Sequence, residues 1–144
     1  MKLCRLDGRA ELLLEAPLRL VNADPTPGSV LLLPWAAYRR PAWNHGEAVL
    51  DPWPRLLTRA VIWNDGVQVG SVTLPPEDPT AIALTSWVSS GRPLTTRLAA
   101  LGVRYVIDDV GGAFPPARAR RLPGCTVAYS APGLVVYRLP WRRL

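Results

Sequence analysis

Side chains that bind metals or attack substrates are scarce in this sequence. Its 144 residues include two cysteines, Cys4 and Cys125, and a single histidine, His45. The cysteines lie far apart and form no CxxC pair, so the spacing typical of a zinc site or a disulfide-stapled small domain is absent. We expect two unrelated thiols and no metal, because a zinc site built around one histidine would need an unusual mixture of ligands.

Long apolar runs and nucleotide-binding motifs are also missing. No run approaches the roughly 20 residues that a membrane-spanning helix needs. Asp7, Glu11 and Glu15 interrupt the N-terminal segment, which therefore does not resemble a secretory signal peptide. Taken literally, the chain is expected in the cytosol. There is no P-loop, and Val110–Gly112 lacks the third glycine of a dinucleotide fingerprint, so we expect no cofactor.

Positive charge comes almost entirely from arginine. The formal net charge is +6, and Lys2 is the only lysine. Arginine suits phosphate recognition and aromatic stacking. The basic residues are nevertheless scattered and form no helix-length stripe, so nucleic-acid binding is not favoured.

The abundant residues predict one domain made of short elements. Hydrophobic residues make up 49% of the chain, which is enough for a single core at this length. The 16 prolines and 11 glycines favour rigid turns over a helical bundle. A loosely helical pattern before Val21 is expected to be cut by Pro17. We assign residues 1–26 to a poorly defined N-terminal segment and residues 27–144 to a single α/β domain.

Three apolar segments predict strands in this domain. They are "SVLLLPW", "RAVIWND" and "VRYVIDD", and the last is the clearest, with Val106 expected in a central strand. The segment "VQVGSVTL" is expected to pair with the second strand or to run on as a loop edge. Residues 125–140 predict a hairpin around the turn Ser130–Gly133. Between Pro34 and Arg59 we expect a long ordered loop with at most one short helical turn, near Trp53–Leu57.

Two helices are expected between the second and third strands. Asp78 and Pro79 are a good start for the first, which would bury Ile82, Trp87 and Val88. The second, in "RPLTTRLAALG", would bury Leu94, Leu98 and Leu101 and end at Gly102. The predicted fold is α/β or α+β. It has a mostly parallel or mixed sheet of four or five strands, a helical layer and a C-terminal β-hairpin.

Two groups of polar residues are candidates for chemistry. His45 has a side chain suited to proton transfer near neutral pH, although a lone histidine in a proline-rich loop is more often structural. Asp108 and Asp109 end a buried strand, where α/β sheets place their ligand crevice. The alternative is that the strand end only needs polar residues before a loop.

Aromatic residues are concentrated between residues 34 and 55. If exposed, their rings would stack on sugars; if buried, they would form the core beneath a long loop, which their dispersion among prolines favours. The candidate ligand-binding residues are Trp35, Tyr38, Arg39, Trp43, Asn44, Asp51, Trp53, Asp65, Asp108 and Asp109.

A series of motifs, "LPW", "YR", "WN", "LDP", "ND", "EDP" and then "LGVRYVI", runs through roughly residues 27–139. It resembles the C-terminal extracytoplasmic region of actinobacterial polytopic membrane proteins related to GT-C-superfamily glycosyltransferases. The resemblance implies an accessory domain in cell-envelope glycan assembly, at the outer face of the membrane. Its implied partners are a polytopic membrane protein and a glycan or polyprenyl-phosphate headgroup.

The resemblance transfers no catalytic residue. In that superfamily the catalytic carboxylate lies in a loop between membrane helices, which this sequence does not contain. We therefore expect a domain that is not catalytic on its own. The alternatives are a stand-alone carbohydrate-binding module and a small enzyme that uses His45.

Overall fold

A computed structural model of the chain describes residues 8–39, 47–109 and 120–140. Within these ranges the chain forms a mixed α/β domain around one five-stranded sheet. No helix of the described residues is long and apolar enough to cross a membrane. The elements are α1 Gly8–Ala23, β1 Ser29–Leu33, β2 Tyr38–Arg39, β3 Val49–Leu50, α2 Trp53–Leu56, β4 Val61–Ile62, β5 Val67–Val69, β6 Val72–Leu74, α3 Pro79–Ser89, α4 Thr95–Ala100, β7 Val103–Asp109, β8 Thr126–Ala131 and β9 Leu134–Arg138.

The main sheet is parallel on one side and antiparallel on the other. Its strand order is β4-β1-β7-β9-β8, so β7 is the central strand, as the sequence predicts. Strand β1 pairs in parallel with both β4 and β7, with Leu31 opposite Ile62 on one side and Val106 on the other. Strand β9 returns antiparallel to β7 and forms the predicted hairpin with β8. The predicted fold class is confirmed.

Helices cover both faces of this sheet, and for that reason β1 is apolar without interruption. On one face α3 and α4 pack against alternate residues of β1 and β7; on the other, α1 and α2 pack against the remaining ones. The first layer contains Leu31, Leu33, Leu84, Val88, Leu94, Leu98 and Val106. The second contains Leu14, Val21, Val30, Leu32, Trp53, Tyr105 and Ile107.

The N-terminal helix differs from the sequence prediction. Pro17 lies inside α1 and does not cut it. Pro17 is itself buried, and Leu14 and Val21 on either side of it belong to the core. Packing of this apolar face against the sheet outweighs the missing proline N–H.

The helices α3 and α4 form where the sequence predicts them, but α4 is shorter than predicted, and Ile82 and Leu101 are not buried. Asp78 caps α3 by accepting a hydrogen bond from the Thr80 N–H. Ile82 is 49% exposed, because Ala81, Leu84 and Val88 form the inward face. Leu101 is 43% exposed, because α4 ends before it. Trp87 is only partly buried against the core.

The segment between the second strand and α3 folds on itself. Strands β5 and β6 pair with each other in a separate two-stranded sheet, so the expectation that this segment joins the second strand or runs on as a loop edge is wrong. The described parts of residues 34–59 form the predicted helical turn, α2, and a short β2-β3 pair that the sequence did not indicate.

Candidate functional site: a groove at the carboxyl end of the parallel strands

A candidate site lies where β1 and β4 end. These neighbouring strands are parallel, so the residues after them, Trp35 and Asn64, meet at the same edge of the sheet. Ligands of open α/β sheets bind in the crevice beyond the carboxyl ends of the strands. Here the β5-β6 hairpin and the side of α3 complete the walls of an open groove of about 800 Å³.

The groove has a mixed aromatic, aliphatic and neutral polar lining. Its described lining residues are Trp35, Ala36, Ala37, Tyr38, Asn64, Gly66, Val67, Gln68, Thr73, Leu74, Pro75, Pro76, Ile82 and Thr85. None of these carries a carboxylate, an imidazole, an amine or a guanidinium group. Such a lining fits an uncharged ligand with both apolar and hydroxyl surface.

Hydrogen bonds hold part of this lining in place. The indole N–H of Trp35 donates to Oγ1 of Thr85 at 3.1 Å, and this hydroxyl donates to the Ala81 carbonyl at 2.9 Å. Asn64 donates from Nδ2 to the Trp35 carbonyl at 3.2 Å and accepts at Oδ1 from the Gly66 N–H at 2.9 Å. The segments after β1 and β4 are thus joined to each other, and the first of them is joined to α3.

Other polar groups of the lining remain open to a ligand. Tyr38 is 57% exposed. Gln68 and Thr73 face each other across the hairpin, and both are exposed. Among the described residues, none accepts from or donates to the side chains of these three. A phenol, an amide and a hydroxyl are therefore available beside the Trp35 ring.

Of the predicted site residues that the structure describes, Trp35 and Tyr38 line the groove. Trp53 is fully buried; its backbone N–H donates to Oδ1 of Asp51 and its indole N–H to Oδ2 of Asp109, both at 3.0 Å. Asp108 is buried beside Asp109 at the end of β7. Asp51, Trp53 and Asp109 thus form a buried polar cluster beneath the loop, whereas Asp108, the neighbour of Asp109 in β7, faces the opposite side of the sheet.

The remaining predicted residues have other placements. Asp65 accepts at Oδ1 from the Glu77 N–H at 3.2 Å, which holds the segment leading from the hairpin to α3. The backbone of Arg39 belongs to β2. Trp43, Asn44 and His45 lie outside the described residues.

Sequence reasoning missed Gln68, Thr73 and Thr85 as lining residues. The alternation of valine and polar residues around Gly70 is a hairpin signal that would have placed Gln68 opposite Thr73. Nothing in the sequence indicates that Thr85 meets Trp35. Within the described ranges, no group of three or more histidine, cysteine, aspartate or glutamate side chains is arranged to hold a metal ion.

A second polar cluster, also missed, lies at the start of β1. Oδ2 of Asp24 accepts from the Tyr105 hydroxyl at 2.5 Å and from Nε of Arg104 at 3.3 Å. Burial by itself raises the pKa of Asp24, but the hydrogen bonds from Tyr105, Thr26 and Arg104 outweigh it and hold this pKa far below the usual range. Burial and the neighbouring carboxylate raise the pKa of Tyr105.

This cluster ties the turn before β1 to the central strand. Arg59 also joins it, with its Nη2 3.7 Å from Oδ2 of Asp24. At Gly28 the backbone has φ of 144°, and a Cβ there would lie 2.5 Å from Cβ of Arg104. Only glycine fits so close to β7. The cluster is structural.

Comparison with models of known protein families, with curated proteins and with solved structures finds no match for this chain, so the groove itself carries the argument about function.

Proposed function

We propose that this domain binds a neutral carbohydrate in the groove beside Trp35, as a non-catalytic accessory domain of a membrane glycosyltransferase-like protein. The observation that carries the binding role is the groove. It places the rings of Trp35 and Tyr38 beside open amide and hydroxyl groups. The accessory role rests on the motif series in residues 27–139, which resembles the extracytoplasmic region of GT-C-related membrane proteins.

The aromatic side chains support a sugar ligand. One face of a pyranose ring is lined by C–H groups and stacks on an aromatic ring, while the hydroxyl groups at its edge need hydrogen-bond partners. Tyr38 offers an exposed ring, and Leu74 and Ile82 add apolar wall. Gln68 and Thr73 supply donors and acceptors at the rim.

The charge of the lining supports an uncharged ligand and a binding role. The described lining residues carry no acidic, basic or imidazole side chain. Amides and hydroxyls bind and orient a sugar but transfer no proton at neutral pH. A volume of about 800 Å³ is within the range of small-molecule sites, which is roughly 300–1,000 Å³.

The binding role is tested by titrating the protein with neutral oligosaccharides and following the indole N–H signal of Trp35 by NMR. We expect saturable shifts of this signal at millimolar sugar. Tyr38→Ala should weaken binding about tenfold, whereas Leu101→Ala, an exposed apolar residue outside the lining, should not change it. Absence of shifts across neutral hexose and pentose oligosaccharides would refute the proposal.

The accessory role needs a separate test. It predicts that the gene lies beside, or continues, a coding sequence with many membrane helices. A position among genes for enzymes of soluble metabolites would contradict the accessory role and leave the binding role standing.

A further inference from the structure

Three arginines from different segments contact Trp87 near the end of α3, two at its indole ring and one at its backbone carbonyl. Cζ of Arg92 lies 5.2 Å and Cζ of Arg97 4.9 Å from the centroid of this ring. Arg121 donates from Nη2 to the Trp87 carbonyl and from Nε to the Arg92 carbonyl, both at 3.3 Å. The fold therefore collects residues from the α3-α4 connection, from α4 and from the segment before β8 at one place.

The positive charges of Arg92 and Arg97 are not balanced by an acidic side chain of the described residues. The partner of Arg92 and Arg97 is a neutral aromatic ring. In the part of the chain that the structure describes, no carboxylate lies within ion-pair distance of Arg92 or Arg97. This contrasts with Arg59 and Arg104, which both lie beside Asp24.

The stacked arrangement leaves the hydrogen-bonding edges of two guanidinium groups open. A guanidinium that lies over an aromatic ring uses its planar face, and its N–H groups point outwards in the plane. Arg92 and Arg97 are both exposed, and neither guanidinium donates a hydrogen bond to a described residue. The ring thus restricts the motion of the Arg92 and Arg97 guanidinium groups, while their N–H groups remain able to donate hydrogen bonds to a ligand.

We propose that the pair of Arg92 and Arg97 over Trp87, with Arg121 bonded to the backbone beside them, is a binding site for a phosphate group. Phosphate oxygens accept the paired N–H bonds of arginine in a bidentate way, and the restricted guanidinium groups lose less side-chain entropy on binding than free ones. The site is distinct from the groove, whose described lining does not include these residues. It is therefore a second site, which binds an anion, whereas the lining of the groove fits a neutral ligand.

Pyrophosphate is the probe that tests the site. Isothermal titration calorimetry in low-salt chloride buffer should show saturable binding to the intact protein. Charge-assisted hydrogen bonds contribute enough for the double variant Arg92→Gln/Arg97→Gln to lose about tenfold or more in affinity. The double variant Arg92→Lys/Arg97→Lys should fall between the two, because lysine keeps the charge and loses the fork.

The control removes the same charge elsewhere. Arg19→Gln/Arg55→Gln changes two exposed arginines outside the cluster and should alter the affinity less than about threefold. Circular dichroism and melting curves establish that all variants are folded. No saturable binding to the intact protein, or an equal loss in both glutamine double variants, would overturn the proposal.

A second experiment, with lipid vesicles, distinguishes a lipid headgroup from a free phosphate compound as the source of the phosphate. Sedimentation with phosphatidylcholine vesicles is compared with and without phosphatidylglycerol. Binding to the anionic vesicles that pyrophosphate displaces and that Arg92→Gln/Arg97→Gln abolishes assigns the site to a lipid headgroup. Pyrophosphate binding without vesicle binding assigns it to a free phosphate compound. Both outcomes support a phosphate site.

Discussion

Replacing Arg59 with alanine should destabilise the domain more than any other single loss of charge among the described arginines. Its guanidinium is nearly buried, with 9% of the side chain exposed. It donates to four backbone carbonyls, those of Val21, Asp24, Thr26 and Gly28, at distances between 2.5 and 3.0 Å. These carbonyls line the turn that brings the chain from α1 into β1.

The magnitude follows from what the substitution leaves behind. Four carbonyls lose a charged donor, and each buried one costs about 1 kcal/mol or more unless water reaches it. Asp24 keeps Tyr105 and Arg104 as partners, so the full 3–5 kcal/mol of a broken buried ion pair does not apply. We expect a loss of about 3 kcal/mol for Arg59→Ala. Arg59→Lys should lose roughly half of that, because an ammonium keeps the charge but cannot reach all four carbonyls.

Urea unfolding followed by tryptophan fluorescence measures these differences, with the slope of the transition checked for constancy. Arg55→Ala is the matched control, because Arg55 is exposed, and it should change the free energy of unfolding by less than about 0.5 kcal/mol. If Arg59→Ala unfolds at the same urea concentration as Arg55→Ala, the turn does not depend on this arginine and the reasoning is refuted.

Three further predictions concern the core and its polar groups. Val106→Asp should cost several kcal/mol in urea unfolding, because it buries a charge in the central strand, whereas Val127→Asp on the exposed edge strand should cost less than about 0.5 kcal/mol. The pKa of Asp24 is lower in the folded than in the unfolded protein, so ionised Asp24 contributes its full stabilisation above the unfolded pKa of about 4, and this stabilisation is lost as the pH falls below that value. In urea titrations at different pH, Asp24→Asn should therefore make the free energy of unfolding depend less on acid pH. Trp53→Phe should lower the free energy of unfolding by at least about 1 kcal/mol more than Trp87→Phe, as measured by thermal or urea unfolding. The reason is that the buried indole N–H of Trp53 has a carboxylate acceptor, whereas that of Trp87 has no acceptor among the described residues.

Local patterns in the sequence predicted most of the main sheet. Strand β1 is an apolar run from Val30 to Leu33, β7 has an apolar centre from Tyr105 to Ile107, and the hairpin turn at Gly133 is short and local, so each is visible in a few adjacent residues. Pro17 and Ile82 were misjudged because their positions depend on what α1 and α3 pack against. Propensity does not contain that information.

The groove could be predicted only in part, because its walls come from distant segments. Trp35 was a candidate by residue type alone, but the Thr85 hydroxyl that fixes its ring lies 50 residues further along the chain. The same holds for Asp24, whose arginine and tyrosine partners on β7 lie 80 and 81 residues away. Such contacts become visible only when the order of the strands is known.

The position of β1 in the sheet has a consequence for the newly made chain. Both of its neighbours, β4 and β7, come later in the sequence, and about seventy residues separate Leu33 from Val103. At a synthesis rate of roughly 5–20 residues per second, the ribosome needs about 4–14 s to produce that stretch. During this time the segment Val30–Leu33 cannot acquire its central partner, although it is fully buried in the folded domain. Nascent chains of this protein should therefore expose their most apolar strand for seconds and depend on the chaperones that bind such segments until β7 has been made.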